Sequence, residues 1–482
     1  MQLTASARTG TNTSPSAAWA LALTSVAFFM TALDALVVIT ALPAIHASLG
    51  GSVGTLEWTV NSYTLTLAAG IITAAALGDR LGRRRLYITG LIVFTVASAA
   101  CALAPSAGSL IAARAVQGAG AALITPLSLT ILASAFPPER RASTVGILGA
   151  IGGLAVAGGP LIGGVVVQGL DWHWIFWLNV PVGLMAAALS VSRLPESFGP
   201  RARLDLPGVA LAAGGAVVLA WGLVKSATIG WGSPQVAGAL VLGAALVAGF
   251  IAWERRASEP MLPLLMLRQR AFAAANASGF AMMASITAAA FLMSQYFQLG
   301  LGHSPLSTGL HFLPWTLTPL LIAPAAGKLA DRIGPRPLMV TGLAMQGAGL
   351  AWIAFTATTT AGYGQFVPAL VLAGVGISMA IPTVPAAALN AVPPADMGKA
   401  SGVLSTLQRF GAVFGVAIVV AVFTANGQLA SPAGVVAGFR PALAVAAGFS
   451  VAGALIALAA RRPQPAPSAP QREISALATA GR

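Results

Sequence analysis

Apolar runs of about twenty residues, recurring along the whole chain and parted by short polar breaks, constrain this sequence more than any other feature. As a helix rising 1.5 Å per residue, such a run crosses the roughly 30 Å hydrocarbon core of a bilayer. Only helices or closed barrels satisfy every backbone polar group in lipid, and the alternating ten-residue segments of a barrel are absent. The fold class that follows is an all-α polytopic membrane protein. Composition agrees: 57% of the 482 residues are hydrophobic and 8% are charged, against roughly 25% charged in a soluble domain.

Fourteen spans are expected, at 19–42, 58–78, 87–105, 109–134, 144–168, 174–193, 207–224, 236–253, 272–298, 306–327, 337–357, 364–388, 402–424 and 441–460. A net charge of +14 would point to nucleic acid if it formed one patch, but the basic residues lie in separate clusters between apolar runs, so no nucleic-acid partner is expected. Alternate loops collect Arg80, Arg83, Arg84, Arg85, Arg140, Arg141, Arg193, Arg201, Arg203, Arg255, Arg256, Arg268, Arg270, Lys328, Arg332, Arg336 and Lys399, whereas the other loops keep Lys225 and Arg440. The positive-inside rule then puts both termini in the cytoplasm of a multi-pass cell-membrane protein. The first helix lacks a small-residue cleavage site and is expected to stay as a signal anchor.

A duplication is visible in the loops. Gly78-Asp79-Arg80-Leu81-Gly82-Arg83 after the second span recurs around Asp331, Arg332, Gly334 and Arg336 after the tenth. The domain plan is a cytoplasmic tail at 1–18, a six-helix bundle at 19–195, a two-helix insert with its linkers at 196–270, a second six-helix bundle at 271–460 and a cytoplasmic tail at 461–482. Repeated halves of this kind commonly enclose a central site and rock about it.

Of twelve acidic residues, eleven fall in loops or at span ends, Glu57 among them. Asp34 alone lies deep within an apolar span. A charge at a helix centre costs roughly 2.5–3.5 kcal/mol or more, so it faces a cavity or a partner. Burial disfavours the charged form of a carboxyl, which suits Asp34 to reversible proton carriage; the competing reading is a structural Asp bonded to a neighbouring helix. Arg114, in the fourth span, needs a counter-charge, and Gln117 one turn on lies on the same face. A polar seam toward the first span is expected there, although plain packing explains Gln117 and its glycines equally well. Arg409 is placed near a span end, where it can snorkel. Dense glycine around Gly159, Pro160, Gly163 and Gly164 makes the fifth span a close-packing, bent helix. Asn61, Tyr63, Gln117, Asn179, Gln295, Tyr296, Gln298, Trp315 and Gln346 are candidate liners of a substrate cavity. The four histidines show no metal-ligand spacing and Cys101 is the one cysteine, so no metal or disulfide is expected.

Over residues 19–460 the chain resembles the fourteen-helix drug:proton antiporter branch of the major facilitator superfamily. The resemblance rests on Leu33-Asp34 to Pro43, Ala75 to Arg85, Leu110 to Ala122 with Arg114 and Gln117, and Gly159-Pro160 with Gly163-Gly164. It departs at Ala75, where the family usually has Gly, and at His173, where it usually has Arg. The resemblance implies two pseudo-repeated bundles, proton coupling through Asp34 and Arg114, a conformational latch at Gly78, Asp79, Arg80, Gly82, Arg83 and the second copy, and exchange rather than cotransport from the Gly-Pro helix. It further implies export of amphipathic drugs, driven by the proton gradient without a cofactor; the sequence does not reveal the oligomeric state, for which a monomer is the expectation. A dedicated exporter of one endogenous metabolite or lipid is the alternative on the same fold, and a membrane sensor is the alternative from another class. No phosphate loop of the form GxxxxGK[ST] is present to power an ATP-driven pump, and no nucleophile, base or metal cluster marks an enzyme.

Overall fold

The computed structural model describes residues 15–136, 138–198, 205–230, 232–257, 264–392 and 397–459. Most of both expected tails, with Arg201, Arg203, Glu259, Asp396 and Glu473, lies outside the described residues, as do the side chains of Glu139, Arg140, Arg141 and Lys399. No strand occurs among the described residues. The first bundle contains α1 (Pro15–Leu49), α2 (Val53–Leu81), α3 (Arg83–Ala102), α4 (Ala107–Ala135), α5 (Pro138–Gly169) and a span made of α6 (Trp174–Trp177) and α7 (Asn179–Arg193). The insert is α8 (Leu206–Ile229) and α9 (Pro234–Glu254), followed by the short α10 (Leu264–Leu267). The second bundle contains α11 (Arg270–Gln295), α12 (Pro305–Thr316) with α13 (Thr318–Ile333), α14 (Pro335–Thr356), α15 (Val367–Leu389), α16 (Met397–Asn426) and α17 (Pro432–Ala459). Eleven helical stretches among the described residues are long and apolar enough to cross a membrane by length and composition.

Several boundaries differ from the sequence expectation because helices outlast the hydrocarbon-length apolar window. α2 starts at Val53, so Glu57 is not at a loop edge but inside the helix, and it is 0% exposed. α17 starts at Pro432, so Arg440 leaves its expected loop and its Nε donates to the Ala354 carbonyl at 3.2 Å. Arg409 lies well inside α16 and is half-buried, not at the end where snorkelling was expected. The tenth span divides at Leu317. Pro319 has no N–H for the Trp315 carbonyl four residues back, and the Thr318 hydroxyl donates to that carbonyl instead, at 2.8 Å. The ninth span runs on as a π-helical turn, Tyr296–Gly300.

Within the bundles α2 packs on α4, α3 on α4 and α7, α1 on α5, α11 on α16 and α17, and α14 on α15 and α17. α8 lies against both α2 and α16, joining the two halves along one side. The apolar core is asymmetric about the membrane plane. On the face away from the arginine loops one buried cluster runs unbroken from Val37 and Leu42 of α1 through Phe291 of α11 to Phe366 and Phe439. Toward the arginine-loop face, here called the basic face, the core separates into a cluster around Tyr87, Phe94 and Leu127 and another around Phe272, Leu343 and Val384. Among the described residues the largest cluster shared by the halves is thus on the face away from the arginine loops, and a smaller one joins Leu65 of α2, Ala216 and Ala220 of α8 and Val413 of α16.

Candidate functional site

The buried polar centre of the first bundle is built by five helices. Asp34 of α1 is 3% exposed and Arg114 of α4 is 1% exposed. Arg114 Nη1 donates to Asp34 Oδ2 at 2.5 Å and to Gln117 Oε1 at 2.8 Å, while its Nε donates to the Thr59 carbonyl of α2 at 3.2 Å. The other carboxylate oxygen, Oδ1, accepts from Gln117 Nε2 and Asn179 Nδ2, both at 2.9 Å. Asn179 is held in turn by Ser98 of α3 at 3.1 Å. The guanidinium lies 4.2 Å over the Tyr63 ring, whose hydroxyl donates to the Thr31 carbonyl at 3.1 Å. The i, i+3 spacing of Arg114 and Gln117 on one helix face makes the double engagement of Asp34 possible.

This arrangement sets up a competition. With three donors on it, the Asp34 carboxylate is stable in a setting where an isolated charge is not. A proton arriving on that carboxylate cancels the charge facing Arg114 and turns one oxygen into a donor, which weakens its hold on the guanidinium. Proton and arginine therefore compete for the same carboxylate.

A seal closes the face opposite the arginines. Ser294 Oγ of α11 donates to the Ile39 carbonyl at 3.0 Å and Gln298 Nε2 donates to the Thr40 carbonyl at 2.9 Å. The Leu306 N–H donates to Gln168 Oε1 at 3.2 Å. The glycine helix closes the contact twice over. Gly159 and Gly163 lie against Leu36, Val37 and Thr40 of α1, while a Cβ on Gly164 would stand 2.4 Å from the Pro305 carbonyl oxygen. Reciprocally, a Cβ on Gly309 would stand 2.4 Å from the Pro160 carbonyl oxygen. Only residues without a side chain allow α5 and α12 this approach.

The expected cavity residues divide into three groups. Gln117, Asn179 and Tyr63 belong to the Asp34 network and are not free to line a cavity. Tyr296 and Gln298 are also corrected: Tyr296 is stacked on Phe439 with ring centres 4.3 Å apart and donates to the Thr358 carbonyl at 2.7 Å, and Gln298 is a seal residue. These contacts take Tyr296 into the aromatic cluster and Gln298 onto α1 of the other bundle. Asn61 Oδ1, both amide atoms of Gln295, Trp315 Nε1 and Gln346 Oε1 are buried without a protein partner. Leaving such an atom unpaired costs about 1–3 kcal/mol, and these are the four expected cavity side chains that carry one.

At the basic face the two loop copies are unlike. In the first, both Arg83 Nε and Nη2 reach Asp79 Oδ1 at 2.8 Å, Gly78 packs under Leu127, Gly82 has φ +108° and Arg80 is exposed. In the second, Asp331 and Arg332 are exposed, Gly334 has φ +86°, and Arg336 caps α17 by donating to the carbonyls of Ala457 and Leu458. Neither loop pairs with the opposite bundle among the described residues. Glu196, which the sequence places in a linker without a role, is the anion at the start of α3: its carboxylate accepts from the Arg84 N–H at 2.9 Å and the Arg85 N–H at 3.3 Å. Carboxylates at helix N-termini are stabilising. Glu196→Gln is therefore expected to lower the stability of the purified protein by about 1 kcal/mol, read by thermal unfolding in detergent; an unchanged midpoint would remove this cap from the account.

Two bundles, an insert, a buried Asp–Arg pair and a one-sided seal are the setting for comparison with known proteins. The sequence model of the Major Facilitator Superfamily matches residues 24–293 and again 275–480. The chain belongs to the Major Facilitator Superfamily. It is 35% identical over 407 residues to "Multidrug resistance protein Stp" of Mycobacterium tuberculosis (strain CDC 1551 / Oshkosh), covering 84% of this chain and 75% of that one. It is 35% identical over 398 residues to "Tetracenomycin C resistance and export protein" of Streptomyces glaucescens, covering 82% and 73%. "Cephamycin export protein CmcT" of Amycolatopsis lactamdurans matches at 33% identity over 453 residues, covering 92% and 93%. In fold, the chain is similar to a POT family transporter crystallised with 5-aminolevulinic acid, at a TM-score of 0.67 and 17% identity over 91% of this chain and 95% of that one. A D-xylose-proton symporter aligns at a TM-score of 0.66 and 16% identity, covering 92% and 97%. This member of the superfamily is thus a multi-pass membrane transporter with two repeated bundles.

Proposed function

We propose that this transporter exports amphipathic drugs or antibiotics by proton-coupled antiport, with the basic face and both termini in the cytoplasm. The observation that carries the reading is the buried Asp34–Arg114 pair, whose carboxylate binds a guanidinium less strongly once it has taken a proton. Sealed outside and split inside, the conformation corresponds to the cytoplasm-facing state of an alternating-access cycle. In that state Arg114 holds Asp34, the proton has gone to the cytoplasm, and a substrate enters past Asn61, Gln295, Trp315 and Gln346. Export of the substrate outward and protonation of Asp34 from outside complete the exchange. The resistance and export functions in the names of the relatives support the direction of transport. The latch role of the Asp79 and Asp331 loops belongs to the same proposal: their lack of partners across the halves here suits a basic face that is open.

The test is efflux of ethidium, tetracenomycin C and a cephamycin from cells expressing wild type or Asp34→Asn, with and without a protonophore. Expected is protonophore-sensitive efflux by wild type and a loss of about 100-fold in Asp34→Asn, the scale of removing a positioned proton-transfer group. Wild-type efflux that ignores the protonophore would sink proton coupling. Export of one compound alone would favour a dedicated exporter, a reading kept alive by relatives named for single compounds.

A further inference from the structure

A second carboxyl is fully buried within the first bundle, and nothing in the cycle above uses it. Glu57 is 0% exposed on α2. Its Oε1 accepts from Asn61 Nδ2 at 2.8 Å, and its Oε2 has no partner. The charged and titratable groups on the helices packed against α2 are Asp34 and His46 of α1, Arg83, Arg84, Arg85, Tyr87 and Cys101 of α3, Arg114 of α4, Lys225 of α8 and Arg409 and Lys399 of α16. α2 itself adds Tyr63, Asp79 and Arg80. The hydrogen bond recorded for Glu57 among the described residues is the one from Asn61. A carboxylate with one amide donor and no counter-cation carries a large desolvation cost that a proton removes.

Its position is specific. Toward the outer face lies a cavity of about 400 Å³ lined by His46, Thr55, Trp58, Ile111, Lys225 and Gln428, among others. Thr55 and Trp58 flank Glu57 in sequence, so the carboxyl sits on the turns of α2 that floor this cavity, turned into the protein. His46 Nδ1, on the cavity wall, is buried and unpartnered. On the other side, Arg114 is one helical turn deeper than the cavity-lining Ile111, and its Nε is bonded to the carbonyl of Thr59, two residues from Glu57. Glu57 is thus on the turns of α2 that carry the cavity-lining Thr55 and Trp58, two residues from the carbonyl that Arg114 holds.

We propose that Glu57 is a proton-relay acid on the outer route to Asp34, an inference that rests on the proton-coupled reading above. Glu57 gives its proton to the Asp34 carboxylate once Arg114 releases it: an O–H bond breaks on Glu57, one forms on Asp34, and Glu57 is left as a carboxylate. A proton from the outer solution, reaching it through the outer cavity, then reprotonates Glu57. The Asn61 amide keeps the acid oriented in both states, donating to whichever form is present.

Two measurements on the purified full-length protein test this. In the infrared, Glu57→Gln is expected to remove a neutral-carboxyl band that wild type and Asp34→Asn both keep. In proteoliposomes with ethidium as probe, Glu57→Gln is expected to lower transport driven by a pH gradient by on the order of 100-fold while retaining ethidium counterflow, which needs no net proton movement; Glu57→Asp restores part of the driven rate. An infrared spectrum unchanged by Glu57→Gln overturns the relay, as does a wild-type driven rate in that variant. Equal loss of counterflow and driven transport in both variants also overturns it, since that marks a structural residue. If wild type itself ignores the gradient, the proton-coupled reading falls and the relay with it, whereas a gradient-sensitive wild type with a normal Glu57→Gln variant removes the relay alone.

Discussion

Arg114→Ala is expected to abolish export and to destabilise the protein by about 3–5 kcal/mol, the scale for breaking a buried pair by removing one partner. The loss has identifiable parts. Asp34 keeps Gln117 and Asn179 but loses its counter-charge, the Thr59 carbonyl loses its donor, and the Tyr63 ring loses the guanidinium stacked on it. Arg114→Lys keeps a charge and still fails to transport at the normal rate, because an ammonium cannot span the Thr59 carbonyl, Asp34 and Gln117 at once as the planar fork does. Asp34→Asn combined with Arg114→Ala removes both charges and is expected to recover part of the lost stability without recovering export. Thermal unfolding in detergent and ethidium efflux read the two effects separately. Additive stability changes, with a coupling below roughly 0.5 kcal/mol, would show that the pair does not act as a unit.

The second large effect belongs to the seal. Gly164→Val or Gly309→Val puts a side chain where the neighbouring helix presents backbone, an oxygen at 2.4 Å and a Cα at 2.9 Å, and backbone cannot swing aside. Overpacking of this kind costs about 1–3 kcal/mol, and here it falls only on the conformation in which α5 and α12 touch. A penalty of that size on one of two states shifts their ratio by roughly 5–150-fold. The expected result is a protein that folds, stays open to the outside and turns over slowly. Cys101, the one native cysteine, is buried, so Ala41→Cys under the seal can report labelling by a membrane-impermeant maleimide added from outside. Labelling is expected to rise in both valine variants and to stay low in Gly169→Val, where an added Cβ meets nothing within 4 Å. Unchanged labelling with normal efflux would remove the glycine contact from the gating mechanism.

How much was legible beforehand differs by feature. The apolar runs, the short turns at Gly82 and Gly334 and the clustering of arginines on one face are properties of neighbouring residues, so a window along the chain reads them. Asp34 was legible for the same reason: one acid in an apolar run needs no partner to be noticed. Glu57 was not, because the window ends where hydropathy falls, whereas α2 continues outward for further turns and buries it. Glu196 was missed because the N-terminus it caps is more than a hundred residues away in sequence. Tyr296 and Gln298 looked alike as polar residues near a span end. Their tertiary contacts put one in the aromatic core and the other onto α1.

By itself, then, the sequence determined that this chain is a helical membrane protein of two related halves, with one acid and one arginine stranded in apolar surroundings. The bilayer leaves few alternatives: it forbids unpaired backbone and penalises unpaired charge. Only the tertiary structure decided that the acid and the arginine share a bond, that one apolar cluster spans both halves on the face away from the arginines, and that Glu57 is buried beside the outer cavity. Those facts depend on contacts between helices distant in sequence, where packing at the scale of one methyl group selects the neighbour.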